Sequence, residues 1–400
     1  MGWFSNKKEI ARPIVGLVLP GGGARNAYQA GVLKAIAELL PKGSPNPFPV
    51  ISGTSAGAIN AVMLAANARH FHKSVNTLLG IWQNFHAAYV FKTDAVTAIC
   101  NASRWIATIA TGGLVSFGLT SVLDNAPLRH MLERHVRLAR IQHAIRSGDL
   151  RAVSITTSGY TSGKSQCFFE GVSEILPWER TRRVGIPCEI SIDHLMASVA
   201  IPLIFPAIRI GSEYFGDGSM RESSPLSPAL HMGADRLLVI GIRDEDPNVV
   251  PTAGNTIPYP SLAHISGYVL DTLFMDSLDA DIERLSRINQ TVSNLCEQPE
   301  DAMKSTLRVV QHLVISPSQD VREIAERHVN EFPRAVRILL RSMGALNREG
   351  RPLVSYLLFE SGFTNELIEL GYQDAMHQRS PIMQLLGHEQ SEQSETESYA

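Results

Sequence analysis

Ile14 to Leu33 reads IVGLVLPGGGARNAYQAGVL, and Val50 to Ala61 reads VISGTSAGAINA. Both stretches have one construction, a short apolar run that breaks at glycine and then changes period. Ile14 to Leu19 has the β-branched, unbroken character of a buried strand and stops at Pro20 and three glycines. From Ala24 the apolar positions recur at helical spacing, through Tyr28, Val32, Ala35, Ile36 and Leu39, and end before Pro41. A loop rich in Gly, Ser, Pro and Asn follows, then a strand over Val50 to Gly53 and a helix over Ala56 to Ala68, with Ser55 at the junction. Two consecutive strand-turn-helix units predict a parallel sheet covered by helices.

The rest of the chain extends that pattern. Further strands are expected at Ala152 to Thr157, Ser165 to Phe169, Ala207 to Ile210 and Arg236 to Ile242, the last nearly continuous in Leu, Val and Ile like a central parallel strand. Beyond Arg243 the sequence turns polar and proline-rich through DEDPNVVPTAGNTIPYP, a candidate boundary or long surface loop. Residues 261–297 read as helical, with Leu270, Leu273, Phe274, Leu278, Ile282, Leu285 and Ile288 on one stripe. A strand is expected within Leu307 to Ile315, helices at Val321 to Ala325 and Arg334 to Met343, and disorder in the polar tail HEQSEQSETESYA.

The 400 residues suit one large domain with an appendage, or two domains, and a 44% hydrophobic, 19% charged composition is that of a globular chain with a core. A formal net charge of -3 gives no electrostatic footprint for nucleic acid. Cys100, Cys167, Cys188 and Cys296 are scattered, without a CxxC pair or a histidine at metal-ligand spacing, which suits a reducing compartment and no metal. MGWFSNKKEIARP has no apolar h-region and misses the myristoylation pattern, so the expected location is cytoplasmic. Ala95 to Val122 is apolar, but Asn101, Arg104 and Gly112-Gly113 cut it below the ~20 residues a bilayer span requires. A core or lid helix and an interfacial segment are the two readings of it.

The chemistry is carried by three short motifs. Gly53-Thr54-Ser55-Ala56-Gly57 is G-x-S-x-G between a predicted strand and a predicted helix, the setting in which a serine hydroxyl stands exposed at a strained turn. A purely structural turn is the alternative. Gly21, Gly22 and Gly23 can turn successive backbone N–H groups toward one oxyanion, and Arg25 places a positive charge in that loop. A phosphate-binding loop is the competing reading, but GGGARN is not G-x-G-x-x-G and no Walker Lys-Ser or Lys-Thr pair follows. No histidine stands out as the base for Ser55: His70, His72, His194, His231 and His264 all sit where surface or capping roles suffice. Asp217, in Tyr214-Phe215-Gly216-Asp217-Gly218-Ser219, is the other candidate, although an aspartate between glycines is also what an Asx-turn requires.

PGGGARNAYQAGVL, GTSAG and FGDGS, in that order, resemble the patatin-like phospholipase family, and the resemblance continues through DNAPL at Asp124 to Leu128, ASVAIPLIFPAI at 197–208 and the strand RLLVIGI. It implies an α/β fold, three-layer α/β/α around a mainly parallel central sheet, with a catalytic domain over 11–245. A mainly helical C-terminal region over 246–388 and a disordered tail over 389–400 complete the expected chain. It also implies a Ser-Asp dyad without histidine: Ser55 as nucleophile, Asp217 as base, Gly21, Gly22 and Gly23 as the oxyanion loop, and Arg25, Gly53, Gly57 and Gly218 in support. No cofactor is implied. The substrate class implied is a phospholipid or lysophospholipid, met by transient contact with a membrane surface, with the acyl pocket sought among residues 95–122 and 199–208. No polybasic run suggests a strong electrostatic anchor. An acyltransferase or thioesterase using the same site, and a lipid-binding protein with weakened catalysis, are the alternatives. Two departures from the family pattern stand out: Asn26 where the loop usually has glycine, and Ser219 where the aspartate motif usually has glycine.

Overall fold

The computed structural model describes residues 13–92, 121, 123–244, 262–272, 276–296, 307–342, 344–346 and 350–388. The N-terminal twelve residues, the apolar stretch Ala95 to Val122 except Ser121, nearly all of the proline-rich segment after Arg243 and the polar tail after His388 lie outside them.

Among the described residues ten strands form one sheet. β1 (Val15–Leu19), β2 (Val50–Thr54), β3 (Ala152–Gly159), β9 (Arg236–Ile240) and β10 (Gln311–Ile315) run parallel in the order β10-β9-β1-β2-β3. On the far side of β3 the sheet is mixed: β4 (Ser165–Gly171) is antiparallel to β3 and parallel to β6 (Arg183–Pro187), and β5 (Trp178–Arg180) forms the edge. β7 (Ile208–Ile210) and β8 (Glu213–Asp217) are a hairpin that joins the sheet through β3. The parallel run is the one the strand-turn-helix grammar predicts. Of the mixed wing, β4 and β7 are the strands expected near Ser165 to Phe169 and Ala207 to Ile210, whereas β5 and β6 are short, and Trp178-Glu179-Arg180 carries little apolar signal.

Alternation along β1 divides the core in two. Leu17 and Leu19 point into a large cluster with Ile51, Val153 and Ile155, whereas Val18 faces the other side with Val50, Leu237 and Val239. The first face is covered by α1 (Ala27–Leu39), α2 (Ala56–Ala65) and α3 (Phe71–Gln83). Leu278 and Leu285 of a later helix, Ser277–Cys296, cover the second, so the sheet is buried on both faces.

The C-terminal residues belong to this same body. β10 extends the sheet, and the long helix Ser361–His377 packs along α1, where Tyr28 donates a 2.9 Å hydrogen bond to Asp374. Among the described residues no helix is long and apolar enough to cross a membrane.

Candidate active site

The site forms where two strands meet end to end. β2 occupies one edge of β3 and its pairing ends at Thr54 opposite Thr156. The next residue of β3, Thr157, pairs with Asp217, while its other edge remains bonded to β4. β8 therefore enters, from the opposite direction, the lane that β2 leaves when the chain turns at Ser55. Serine and aspartate, 162 positions apart, are brought together by sheet register alone.

Ser55 sits in a strained elbow, at φ 53° and ψ -129°, directly before α2. A positive φ in a residue with a Cβ costs energy, and the neighbours explain how it persists. The Ser55 N–H donates to Ser198 Oγ at 2.9 Å, and Ser198 Oγ donates in turn to the Thr156 carbonyl at 2.7 Å. Gly57 permits the turn to pack on the sheet, because a Cβ there would lie 2.1 Å from the Leu19 carbonyl oxygen; Gly53 faces the same turn from the strand side.

Ser55 Oγ donates a 2.6 Å hydrogen bond to Asp217 Oδ2, and both residues are almost wholly buried. The other carboxylate oxygen accepts the Ser219 N–H at 3.0 Å, across Gly218. The Asx-type turn and the contact with Ser55 thus coexist, one on each oxygen, and the serine at 219 still supplies the backbone donor. Burial pushes the Asp217 carboxyl up to about 7; the bonds from Ser55 and Ser219 pull the other way, and the Glu222 carboxyl adds to the rise. Glu222 is itself buried, its carboxyl raised by desolvation and steadied by Thr54 and Thr156. Sequence reading passed over it, because a glutamate five residues after Asp217 carries no local sign that it is buried.

Gly21, Gly22 and Gly23 follow β1 at the same sheet edge, and Gly23, at φ 57°, lines one cleft with Ser55. The loop is held by buried amides. Asn26 and Gln29 both donate to the Pro20 carbonyl, at 2.8 and 3.0 Å, and Asn60 of α2 donates to the Asn26 carbonyl and to Gln29 Oε1. Asn26, the departure from the family pattern, is therefore part of the fastening of the loop. Arg25 does something other than leave a positive charge free beside it. Its guanidinium is buried against the C-terminal helices, donating to Ser355 Oγ at 2.7 and 2.9 Å, pairing with Asp271 at 3.1 Å and stacking 3.8 Å from the Tyr356 ring.

From Ser55 a narrow apolar cleft of about 50 Å³ runs between the helices on this face. Val199, Ile201 and Phe205 line it, as expected of residues 199–208, but most of its wall comes from elsewhere: Ile81 and Trp82 of α3, Phe85, and Met131 of α4 (Ala126–His135). The α3 residues lie on a stripe with Val75 and Leu78 that reads like any core-facing helix, so nothing in the sequence separates cleft wall from core. Among the described residues no histidine lines the cleft. Among the described residues no group of three or more His, Cys, Asp or Glu could hold a metal ion.

Residues 17–230 match the family model described as Patatin-like phospholipase. Over 216 residues the chain is 26% identical to a cGAMP-activated phospholipase of Pseudomonas aeruginosa, covering 54% of this chain and 55% of that protein. A shorter stretch of 54 residues is 48% identical to lysophospholipase nte1 of Aspergillus terreus, covering 14% of this chain and 3% of that one. The chain thus spans about half the length of the first relative and a small part of the second. Among solved structures, VipD from Legionella pneumophila aligns with a TM-score of 0.35 at 13% identity, over 94% of this chain and 67% of that one.

Proposed function

The chain belongs to the patatin-like phospholipase family, and from that premise we propose that it is a serine lipid acyl hydrolase acting on carboxylic esters of phospholipids or lysophospholipids. The observation that carries this reading is the 2.6 Å bond between Ser55 and Asp217 at the head of an apolar cleft. In the proposed reaction Asp217 takes the Ser55 hydroxyl proton as Oγ attacks the ester carbonyl carbon. The oxyanion forms against the backbone N–H groups of Gly21 to Gly23, donors of a kind worth about 3 to 4 kcal/mol each in the transition state. Asp217 then returns the proton to the departing lysolipid or glycerophosphate alcohol, leaving the acyl group on Ser55. Water, deprotonated by the same carboxylate, releases the fatty acid and restores the serine.

The burial of Asp217 suits this role. A carboxyl near 4 is a weak base, whereas one held at about 7 is ionised in about half the molecules at neutral pH and in that form is a far better proton acceptor. The cleft supplies the acyl site: its wall is almost entirely apolar side chains, and each buried methylene of a fatty chain contributes about 0.8 kcal/mol. Gly53 and Gly57 allow the elbow, Gly218 the turn after Asp217, and Arg25 ties the oxyanion loop to the C-terminal helices.

The test is product analysis with phosphatidylcholine, lysophosphatidylcholine and acyl-CoA, each with and without an alcohol acceptor. Release of free fatty acid from the glycerolipids, abolished by Ser55→Ala, is the expected result. Preferential transfer to the alcohol, or turnover of acyl-CoA alone, would replace hydrolase by acyltransferase or thioesterase.

A further inference from the structure

We propose that two helices of the C-terminal region clamp the glycine loop, and that Tyr356, Ser355 and Asp271 are positioning residues for the hydrolysis, acting through Arg25 on the backbone donors of Gly21 to Gly23. The proposal rests on reading that loop as the oxyanion site. Three consecutive residues without a Cβ can turn their N–H groups toward one point, and for the same reason no side chain of their own keeps them there. Donors stabilise an oxyanion only when they are already aimed where it forms, so the loop has to be held from outside. Asn26 and Gln29 hold its start through the Pro20 carbonyl. Its far end rests on the helix Arg351–Leu357: Gly23, at φ 57°, lies so close that a Cβ on it would stand 2.4 Å from the Tyr356 carbonyl oxygen.

Two residues further on, Arg25 is 1% exposed and does not line the cleft, so it acts on the reaction through the loop and not by touching substrate. Its guanidinium is bonded at all three nitrogens. Nε and Nη2 donate to Ser355 Oγ, while Nη1 donates to the Tyr356 hydroxyl at 3.2 Å and to Asp271 Oδ1 at 3.1 Å. The partners are fixed in turn, because the Tyr356 hydroxyl donates to the same Asp271 oxygen at 2.8 Å and Ser355 Oγ donates to the Pro352 carbonyl at 2.7 Å. Asp271 ends the second helix, Leu262–Asp271, which meets the first where Gly267 lies against Pro352. A planar fork held at three points sets both the position and the orientation of the backbone that carries it, and a buried charge cannot move without losing its partner. Among the described residues every hydrogen-bond partner of this guanidinium lies beyond residues 17–230, the stretch that matches the family model. The catalytic loop therefore depends on a part of the chain outside that match.

The experiment compares variants of the full chain on a short, water-soluble ester and on a trifluoromethyl ketone, whose carbonyl carbon Ser55 Oγ attacks to leave an oxyanion while the proton passes to Asp217. Inhibition by the ketone reads the loop's donors directly. Tyr356→Phe keeps the ring on the guanidinium and the carbonyl beside Gly23 and removes only the hydroxyl. In this variant kcat should fall about tenfold, KM should change by less than about twofold, and the ketone Ki should rise about as much as kcat falls. Ser355→Ala should act in the same direction and to the same degree. Arg25→Lys, which keeps the charge and loses the fork, should cost about a hundredfold in both readouts. Tyr28→Phe is the control: it breaks the 2.9 Å bond to Asp374, another buried link between the core and the C-terminal region. It should lower the melting temperature as Tyr356→Phe does and leave kcat and ketone inhibition unchanged. Tyr356→Phe and Ser355→Ala variants that keep the kcat and ketone inhibition of the unaltered protein, or a Tyr28→Phe variant that loses as much, would overturn the clamp and leave the hydrolase reading standing. An unaltered chain that hydrolyses no ester would remove the hydrolase reading and the clamp's role with it.

Discussion

Two non-glycine residues flank this cleft in left-handed backbone conformations, and they differ in everything else. Ser55, at φ 53°, is buried, bonded through its N–H to Ser198 and through its hydroxyl to Asp217. Leu203, at φ 68°, displays its side chain to solvent on a turn closed by backbone alone. Strain of similar kind is over-determined by neighbours in one place and merely tolerated in the other. At the elbow it aims a hydroxyl at the Asp217 carboxylate; at the turn it leaves the Leu203 side chain in solvent while Ile201 and Phe205 on either side pack inward.

The substitutions that separate the two turns differ widely in size. The largest effect is expected at Ser55: replacement by Gly relieves the same backbone strain, yet ester hydrolysis should fall by roughly 10⁴-fold or more, as for other nucleophile deletions. Steady-state assays with a soluble ester measure this, and a loss under tenfold would break the assignment. Asp217→Asn should cost about 10³ to 10⁴-fold in kcat. In the unaltered protein kcat/KM should rise with pH through a midpoint near the value of about 7 at which Asp217 titrates and level off above it, because the proposed base must be ionised. A profile flat from acid to neutral pH would contradict that role.

Stability should move the opposite way at the same residue. The folded carboxyl titrates well above its unfolded value near 3.9, so the native state holds the proton more tightly. The stability it contributes is present at low pH and is lost as pH rises from about 4 through about 7. Asp217→Asn should therefore raise the melting temperature above pH 7, by removing a cost of about a few kcal/mol, and change it little near pH 4. Gly57→Ala should cost about 3 kcal/mol by denaturant unfolding, since the new Cβ meets a backbone carbonyl that cannot move alone. The smallest effect belongs to Leu203→Gly, a gain of about 1 kcal/mol from relieved strain. A loss there would show that the turn supports the fold after all.

The two strand-turn-helix units were legible because β1 and β2 are apolar throughout and the helices after them keep their period, so both the parallel sheet and the location of Ser55 followed. Asp217 was legible as a motif but ambiguous as a residue, because an aspartate between glycines makes an Asx turn whether or not it does chemistry, and here it makes the turn as well. What joins it to Ser55 is the change of β3's partner at Thr157, a long-range register that no local pattern encodes. The cleft wall was hidden for a related reason. Trp82 and Met131 face a cavity, yet the residues that pack in a core obey the same spacing. Arg25 read as a charge beside the glycine loop, and its partners Asp271, Ser355 and Tyr356 come from a region whose sequence says only that it is helical.

The pairing of Ser55 with Asp217 is tested most directly by reaction with a fluorophosphonate, followed by mass spectrometry of the adduct. The expected result is a single modified residue, Ser55, labelled at a rate that rises with pH, half-maximal near 7 and level above it, absent in Ser55→Ala and slowed at least about a hundredfold in Asp217→Asn. Labelling of another residue, no labelling of folded protein, or an undiminished rate in Asp217→Asn would contradict the dyad.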